Sequence, residues 1–131
     1  MGTITAIVDK PPTNFVRLTV RAVKDCSFGR KNGRCWASFR AMHPQGFKAG
    51  VRRDPIFLDV VAFAENFSES ILADVTQVRK SDLVQVAGRL VVETYRRKDG
   101  SEGLSIAVHL SGKRAAIKAV APPIEVPVTA I

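Results

Sequence analysis

The chain has 131 residues, 46% hydrophobic and 24% charged, a size and balance that suit one folded domain with a tail and exclude a disordered body or two full cores. Twenty Lys and Arg against twelve Asp and Glu leave a formal net charge of +8, an excess that favours a polyanionic partner over the blander alternative of a solubilising surface. Two cysteines, Cys26 and Cys35, are too few for a disulfide framework, and no apolar run approaches the ~20 residues of a membrane span.

Residues 1–14 read as an N-terminal arm. They show no secretion signal, and Ala6 stands where a myristoylation motif needs Ser or Thr; the low cysteine count makes a reducing cytoplasm the expected setting. The first strand follows over residues 15–24, with Val16, Leu18, Val20 and Ala22 on one parity and Arg17, Thr19 and Arg21 on the other. The stretch CSFGRKNGR then mixes Gly29, Asn32 and Gly33 with Arg30, Lys31 and Arg34 and reads as a basic loop at a hairpin tip. A second strand over 35–42 sets Cys35, Ala37, Phe39 and Ala41 against Trp36, Ser38, Arg40 and Met42.

His43-Pro44-Gln45-Gly46 breaks that strand, and residues 47–54, FKAGVRRD, read as a flexible basic loop carrying Phe47, Lys48, Arg52 and Arg53. The third strand, 56–63, puts Leu58, Val60 and Ala62 on one face and Phe57, Asp59, Val61 and Phe63 on the other. Phe67, Ile71, Val75 and Val78 then recur at helical spacing, which predicts a short amphipathic helix against the sheet. A long fourth strand over 83–97 contains Gly88, the mark of a bulge or bend that curls a sheet. Asp99-Gly100 signals a hairpin, and a fifth strand returns over 104–110. Beyond Ile117 three prolines end the regular pattern, so the domain is expected over 15–117 and a short Pro-containing tail over 118–131.

Three strands, a helix and a two-stranded hairpin are the element order of the oligonucleotide-binding (OB) fold, an all-β five-stranded barrel with one short helix. Sequence-tolerant binding of an unpaired strand needs π surfaces for bases and cations for phosphates. Phe57 and Phe63, six residues apart, project from the strand face opposite Leu58, Val60 and Ala62. Tyr95 neighbours Arg96, Arg97 and Lys98, and Phe47 sits in the other basic loop. Trp36 is a further candidate ring. For each ring a role in the core is the alternative. The candidate phosphate contacts are Arg30, Lys31, Arg34, Arg40, Lys48, Arg52, Arg53, Arg96, Arg97 and Lys98.

Over roughly 16–117 the chain resembles the bacterial and phage single-stranded DNA-binding proteins. The resemblance is carried by VVAF in the third strand, by VRKSDLVQVAGRL after the helix, with Lys80-Ser81 followed by Val84, Val86, Gly88 and Leu90, and by the hairpin VVETYRRKDGSEGLSIAV. It implies base stacking at Phe47, Phe57, Phe63 and Tyr95, with Phe and Tyr replacing tryptophans common in that family. It implies a protein that coats and protects single-stranded DNA in replication, recombination or repair, in a bacterial nucleoid or a phage-infected cell. It further implies a homo-oligomer, tetramer or dimer, for which the open edge of the first strand offers a surface. The acidic, phenylalanine-tipped tail of many bacterial members has no counterpart in Pro127-Val128-Thr129-Ala130-Ile131, so recruitment of repair enzymes by that route is not expected.

No cofactor, metal, membrane or small-molecule substrate is expected. G-x-S-x-G is absent, Ala107 stands where a P-loop ending in Gly112-Lys113 needs Gly, and Cys26, Cys35, His43 and His109 lack metal-type spacing. An enzyme is therefore not the expected class. The competing reading is an accessory module that uses the same barrel to bind protein or RNA.

Overall fold

The computed structural model describes residues 14–120. The expected arm and tail, apart from Asn14 and residues 118–120, lie outside the described residues. In chain order the elements are β1 (Val16–Ala22), β2 (Ser27–Lys31), β3 (Arg34–His43), β4 (Phe47–Lys48), β5 (Val51–Arg52), β6 (Ile56–Ala64), α1 (Ser70–Thr76), β7 (Leu83–Arg96), β8 (Glu102–His109) and β9 (Ala116–Ala119).

Strands β1, β3, β6, β8 and β7 neighbour one another in that order, and β1 pairs again with β7, closing a ring of five. Antiparallel pairs make up this ring except at β6–β8, which is parallel. This is the OB barrel expected from the element order. Side-chain alternation sends Val20, Ala37, Phe39, Leu58, Val60, Val86 and Val108 inward, where each is buried. Leu72 and Val75 of α1 join the same core.

Gly88 lets two strands come close: a β-carbon there would overlap the carbonyl oxygen of His109 in β8. Just before β1, the Asn14 amide gives a hydrogen bond to the Leu90 carbonyl and takes one from the Leu90 N–H, both 2.9 Å, extending the β1–β7 ladder by a side chain. The other edge of β1 pairs with β3 only at Arg21 and Ala22, which leaves Val16–Val20 without a strand partner there among the described residues.

The structure departs from the sequence reading at four elements. The stretch expected as a basic loop after Cys26 is mostly strand: β2 pairs with β3 from Ser27↔Ser38 to Lys31↔Arg34. Only Asn32 (φ 52°) and Gly33 (φ 74°) turn, in the left-handed conformation that Asn-Gly hairpins favour because it matches strand twist. Residues 47–54 hold the β4–β5 hairpin rather than a flexible loop. The helix begins at Ser70, so Phe67 precedes it, and instead of facing the core its ring meets Phe28 edge-on at 5.8 Å. Strand β9 adds to β7 from Val84↔Ala119 to Ala87↔Ala116 and runs past Ile117, where the regular pattern was expected to end.

Candidate nucleic-acid interface

The register of the barrel assembles one outward face from four strands. Trp36 lies opposite Phe63, Ser38 opposite Val61, Arg40 opposite Asp59 and Met42 opposite Phe57. Across the parallel pair Val61 faces His109 and Asp59 faces Ala107. Across the hairpin His109 faces Arg89, Ala107 faces Val91 and Gly103 faces Tyr95. All these residues share the parity opposite to the buried set, so the face is continuous from β3 through β6 and β8 to β7.

Its rings fall into two groups. Trp36 and Phe63 stand at one end, Phe57 and Tyr95 toward the other, and the six-residue offset of the two phenylalanines along β6 separates them by about 20 Å. Between them the face carries small or short side chains, Ala107 and Val91 beside the Arg40–Asp59 pair. Phe57 is 47% exposed, Phe63 46% and Tyr95 48%, so each keeps about half its surface on the barrel and offers the rest to solvent.

Each of these three rings has its own guanidinium. The Arg34 Cζ is 5.3 Å from the Phe63 centroid, the Arg40 Cζ 5.9 Å from that of Phe57 and the Arg97 Cζ 5.5 Å from that of Tyr95. These separations are within the ~6 Å at which a cation is attracted to a π face. A ring with a fixed cation beside it can take a flat, electron-poor heterocycle and the anion attached to it, which is the chemistry of an unpaired nucleotide.

Two glycines set how two of the rings lie. Tyr95 crosses its neighbour Gly103 so closely that a β-carbon there would come 2.5 Å from the Tyr95 Cζ and 2.8 Å from an Arg97 nitrogen. Trp36 likewise lies over Gly29 of β2, 3.1 Å from the equivalent position. Both rings therefore rest on the sheet. Arg97 is anchored at the hairpin tip, where its guanidinium donates to the Glu102 carbonyl at 2.7 Å and to the Ser101 Oγ at 3.3 Å. In the same turn hydrogen bonds from the Ser101 hydroxyl and N–H hold the Asp99 carboxyl below the usual carboxylate range.

Arg40 is tied to Asp59 at 3.4 Å, and their side chains are 49% and 41% exposed. An acid in the middle of a basic face is a local brake on anion binding, and at this exposure the pair contributes little to stability.

The remaining sequence candidates divide. Lys31 and Arg34, opposite each other at the end of the β2–β3 hairpin, share the face of Trp36. Lys98 is at the tip beside Arg97. Phe47, 71% exposed, pairs with Arg52 in the β4–β5 hairpin, and with Arg52 and Arg53 it borders a small cleft shared with Met42 of the main face; Lys48 belongs to the same hairpin. Arg30 and Arg96 stand apart from the rings of this face. Arg30 lies opposite the buried Cys35 and Arg96 opposite Glu102, both on the reverse parity, and Arg30 turns to the Phe67 ring instead. Because the loop assigned to Arg30 is a strand, alternation aims its side chain away from the rings.

Among the cationic and ring-bearing residues of the face, two were not among the candidates: Arg89, and His109, whose ring centroid is 6.3 Å from that of Phe63 at an angle of 53°. The parity of β7, which sets Arg89 with Val91 and Tyr95, was the available signal. The cysteines lie apart from the face. Both are free, Cys35 in the core and Cys26 half-buried, and burial pushes the Cys26 thiol up. Among the described residues no group of three His, Cys, Asp or Glu is placed to hold a metal ion, and no helix is long and apolar enough to cross a membrane.

No protein-family model matches the sequence, and no curated protein does. Solved structures do match. The chain is similar to a small single-stranded DNA-binding protein from Streptomyces coelicolor, at 18% identity and TM-score 0.61 over 83% of this chain and 96% of that one. It is similar to the Plasmodium falciparum SSB in complex with ssDNA, at 14% identity and TM-score 0.65 over 87% of this chain and all of that one. A third similarity is to the SSB domain of a Synechococcus protein, at 15% identity and TM-score 0.53 over 79% and 96%. The fold of this chain is thus the OB barrel that these single-stranded DNA-binding proteins share, the architecture that the sequence resemblance implied.

Proposed function

We propose that this chain is a single-stranded DNA-binding protein of low sequence specificity, a binding protein and not an enzyme. The observation that carries the reading is the set of ring–arginine pairs, Phe63 with Arg34, Phe57 with Arg40 and Tyr95 with Arg97, on one sheet face. Unpaired bases stack on Phe57, Phe63, Tyr95 and Trp36, with Phe47 reaching in from its hairpin. Phosphates are neutralised by Lys31, Arg34, Arg40, Arg97 and Lys98, and by Lys48, Arg52 and Arg53 at the Phe47 end. Stacking does not read base edges, so sequence matters little, and a duplex, whose bases are already stacked on one another, is a poor ligand.

The similarity to the Plasmodium falciparum SSB, solved with ssDNA, supports this assignment, as does the continuity of the face; a protein-docking module would more readily scatter its rings and cations. Coating of exposed strands during replication, recombination or repair follows as the physiological role, in a reducing cytoplasm that suits two free cysteines. The edge of β1 that has no strand partner among the described residues is the surface through which we expect copies of the chain to associate.

The test is a titration of labelled oligothymidine, a duplex and an RNA of equal length at two salt concentrations. Tight, salt-sensitive binding to the DNA single strand with at least tenfold weaker binding to the duplex is expected. Equal, weak binding to all three would reduce the charge to generic attraction, and an RNA preference would move the assignment to an RNA-binding module.

A further inference from the structure

Along most of its length the sheet face is open, but at the Phe63 end it becomes concave. There Glu69, just before α1, and Ser111 in the turn after β8 border a half-open cleft of about 590 Å3 whose lining includes Phe63, His109, Arg34 and Arg89. A cleft of that size has room for a small organic ligand, more relief than a base lying flat on an open sheet would use.

The lining has a consistent chemistry. Phe63 and His109 present two flat rings inclined at 53°, so they do not satisfy each other by parallel stacking. Arg34 holds its guanidinium 5.3 Å from the Phe63 centroid, and Arg89 stands directly across the ladder from His109. Against these two cations the lining has one carboxylate, Glu69. A heteroaromatic ring with an attached anion meets both requirements together.

We propose that this pocket takes one whole nucleotide, its base against Phe63 and His109 and its phosphate between Arg34 and Arg89, so that a single strand crossing the face dips into the barrel end here. The inference rests on the single-stranded DNA reading and adds Arg89 and His109 to it. A free nucleoside monophosphate offers the same chemistry, so the experiment separates the two sources.

Oligothymidine and thymidine 5′-monophosphate are titrated against the parent, Arg89→Ala, His109→Ala and, as a control on β9, Lys118→Ala. A 5-iodouracil scanned along the oligothymidine is photocrosslinked and the attached peptide mapped. Arg89 is exposed, so its variant keeps the fold even if thermal melting shows that His109→Ala does not. We expect three- to tenfold weaker oligothymidine binding in Arg89→Ala and His109→Ala, no change in Lys118→Ala, crosslinking to the peptide containing His109, and monophosphate binding at least a hundredfold weaker than oligothymidine. Parent-like affinity in Arg89→Ala, or crosslinks that never reach that peptide, overturns the pocket and leaves the single-stranded DNA reading standing. A monophosphate bound as tightly as the oligonucleotide overturns the dipping strand in favour of a free-nucleotide site. Failure of the parent to bind oligothymidine overturns both readings.

Discussion

Arg40 has two partners in the free protein, the ring of Phe57 at 5.9 Å and the carboxylate of Asp59 at 3.4 Å. In the proposed function only the first would help a nucleic acid strand, since a phosphate would have to compete with the second. Asp59→Asn should therefore tighten binding to oligothymidine by about two- to fivefold, the scale of one exposed ion pair, with a binding isotherm at low salt as the measurement; unchanged or weaker binding would show that the pair positions Arg40 rather than restraining it. Gly103 gives a second residue-level prediction. A methyl group there would displace Tyr95 and Arg97 together, so Gly103→Ala should lose most of what Tyr95→Ala loses, and the double variant should lose little more, a non-additivity that only residues acting as a unit show. Parity alone marked Phe57 and Phe63, because both fall in one strand with a clear apolar alternation. It could not mark the meeting of Phe63, Arg34, Arg89 and His109, which come from four strands and depend on register between elements far apart in sequence.

Elements with one buried and one exposed face are legible in the sequence: β1, β3, β6, β7 and β8 alternate because the barrel interior is dry on one side of each. The elements that escaped have no such contrast. In β2 every residue except Gly29 is exposed, so alternation leaves no trace in Ser27-Phe28-Gly29-Arg30-Lys31, and the turn-forming Gly29 and the charges suggested a loop. Strands β4 and β5 are two residues each, too short for a period. The barrel elements carry their own stability predictions. Leu58, 1% exposed in the core of β6, should cost about 2–5 kcal/mol on replacement by Ala through lost burial and a residual cavity, read as a shift in the denaturant midpoint. Gly88→Ala should cost about 1–3 kcal/mol because the added methyl meets backbone, which cannot rotate away as a side chain can. A neutral Gly88→Ala melt would mean that β7 and β8 do not approach as closely as described.

For the whole molecule, the +8 charge says only that an anion is favoured; the barrel decides where. It gathers rings and guanidiniums on one face while the core residues close the other side of the same strands, so folding and site construction are one event. Composition could suggest nucleic acid, but the proposed single-strand preference rests on the rings, and their arrangement needed the closed sheet. If five cations of the face meet phosphates, the logarithm of the affinity should fall with the logarithm of salt with a slope of about −3.5, taking ~0.7 per phosphate for a single strand. Charge and stacking therefore separate experimentally, and the most direct measurement is the affinity for oligothymidine of the parent and of Phe57→Ala/Tyr95→Ala across a salt series. Stacking at ~1–3 kcal/mol per base predicts that the double variant loses about 2–6 kcal/mol, thirtyfold or more, at every salt concentration while its salt slope stays that of the parent. Parent-like affinity in the double variant would contradict the account, because the rings would then be bystanders to a purely electrostatic surface.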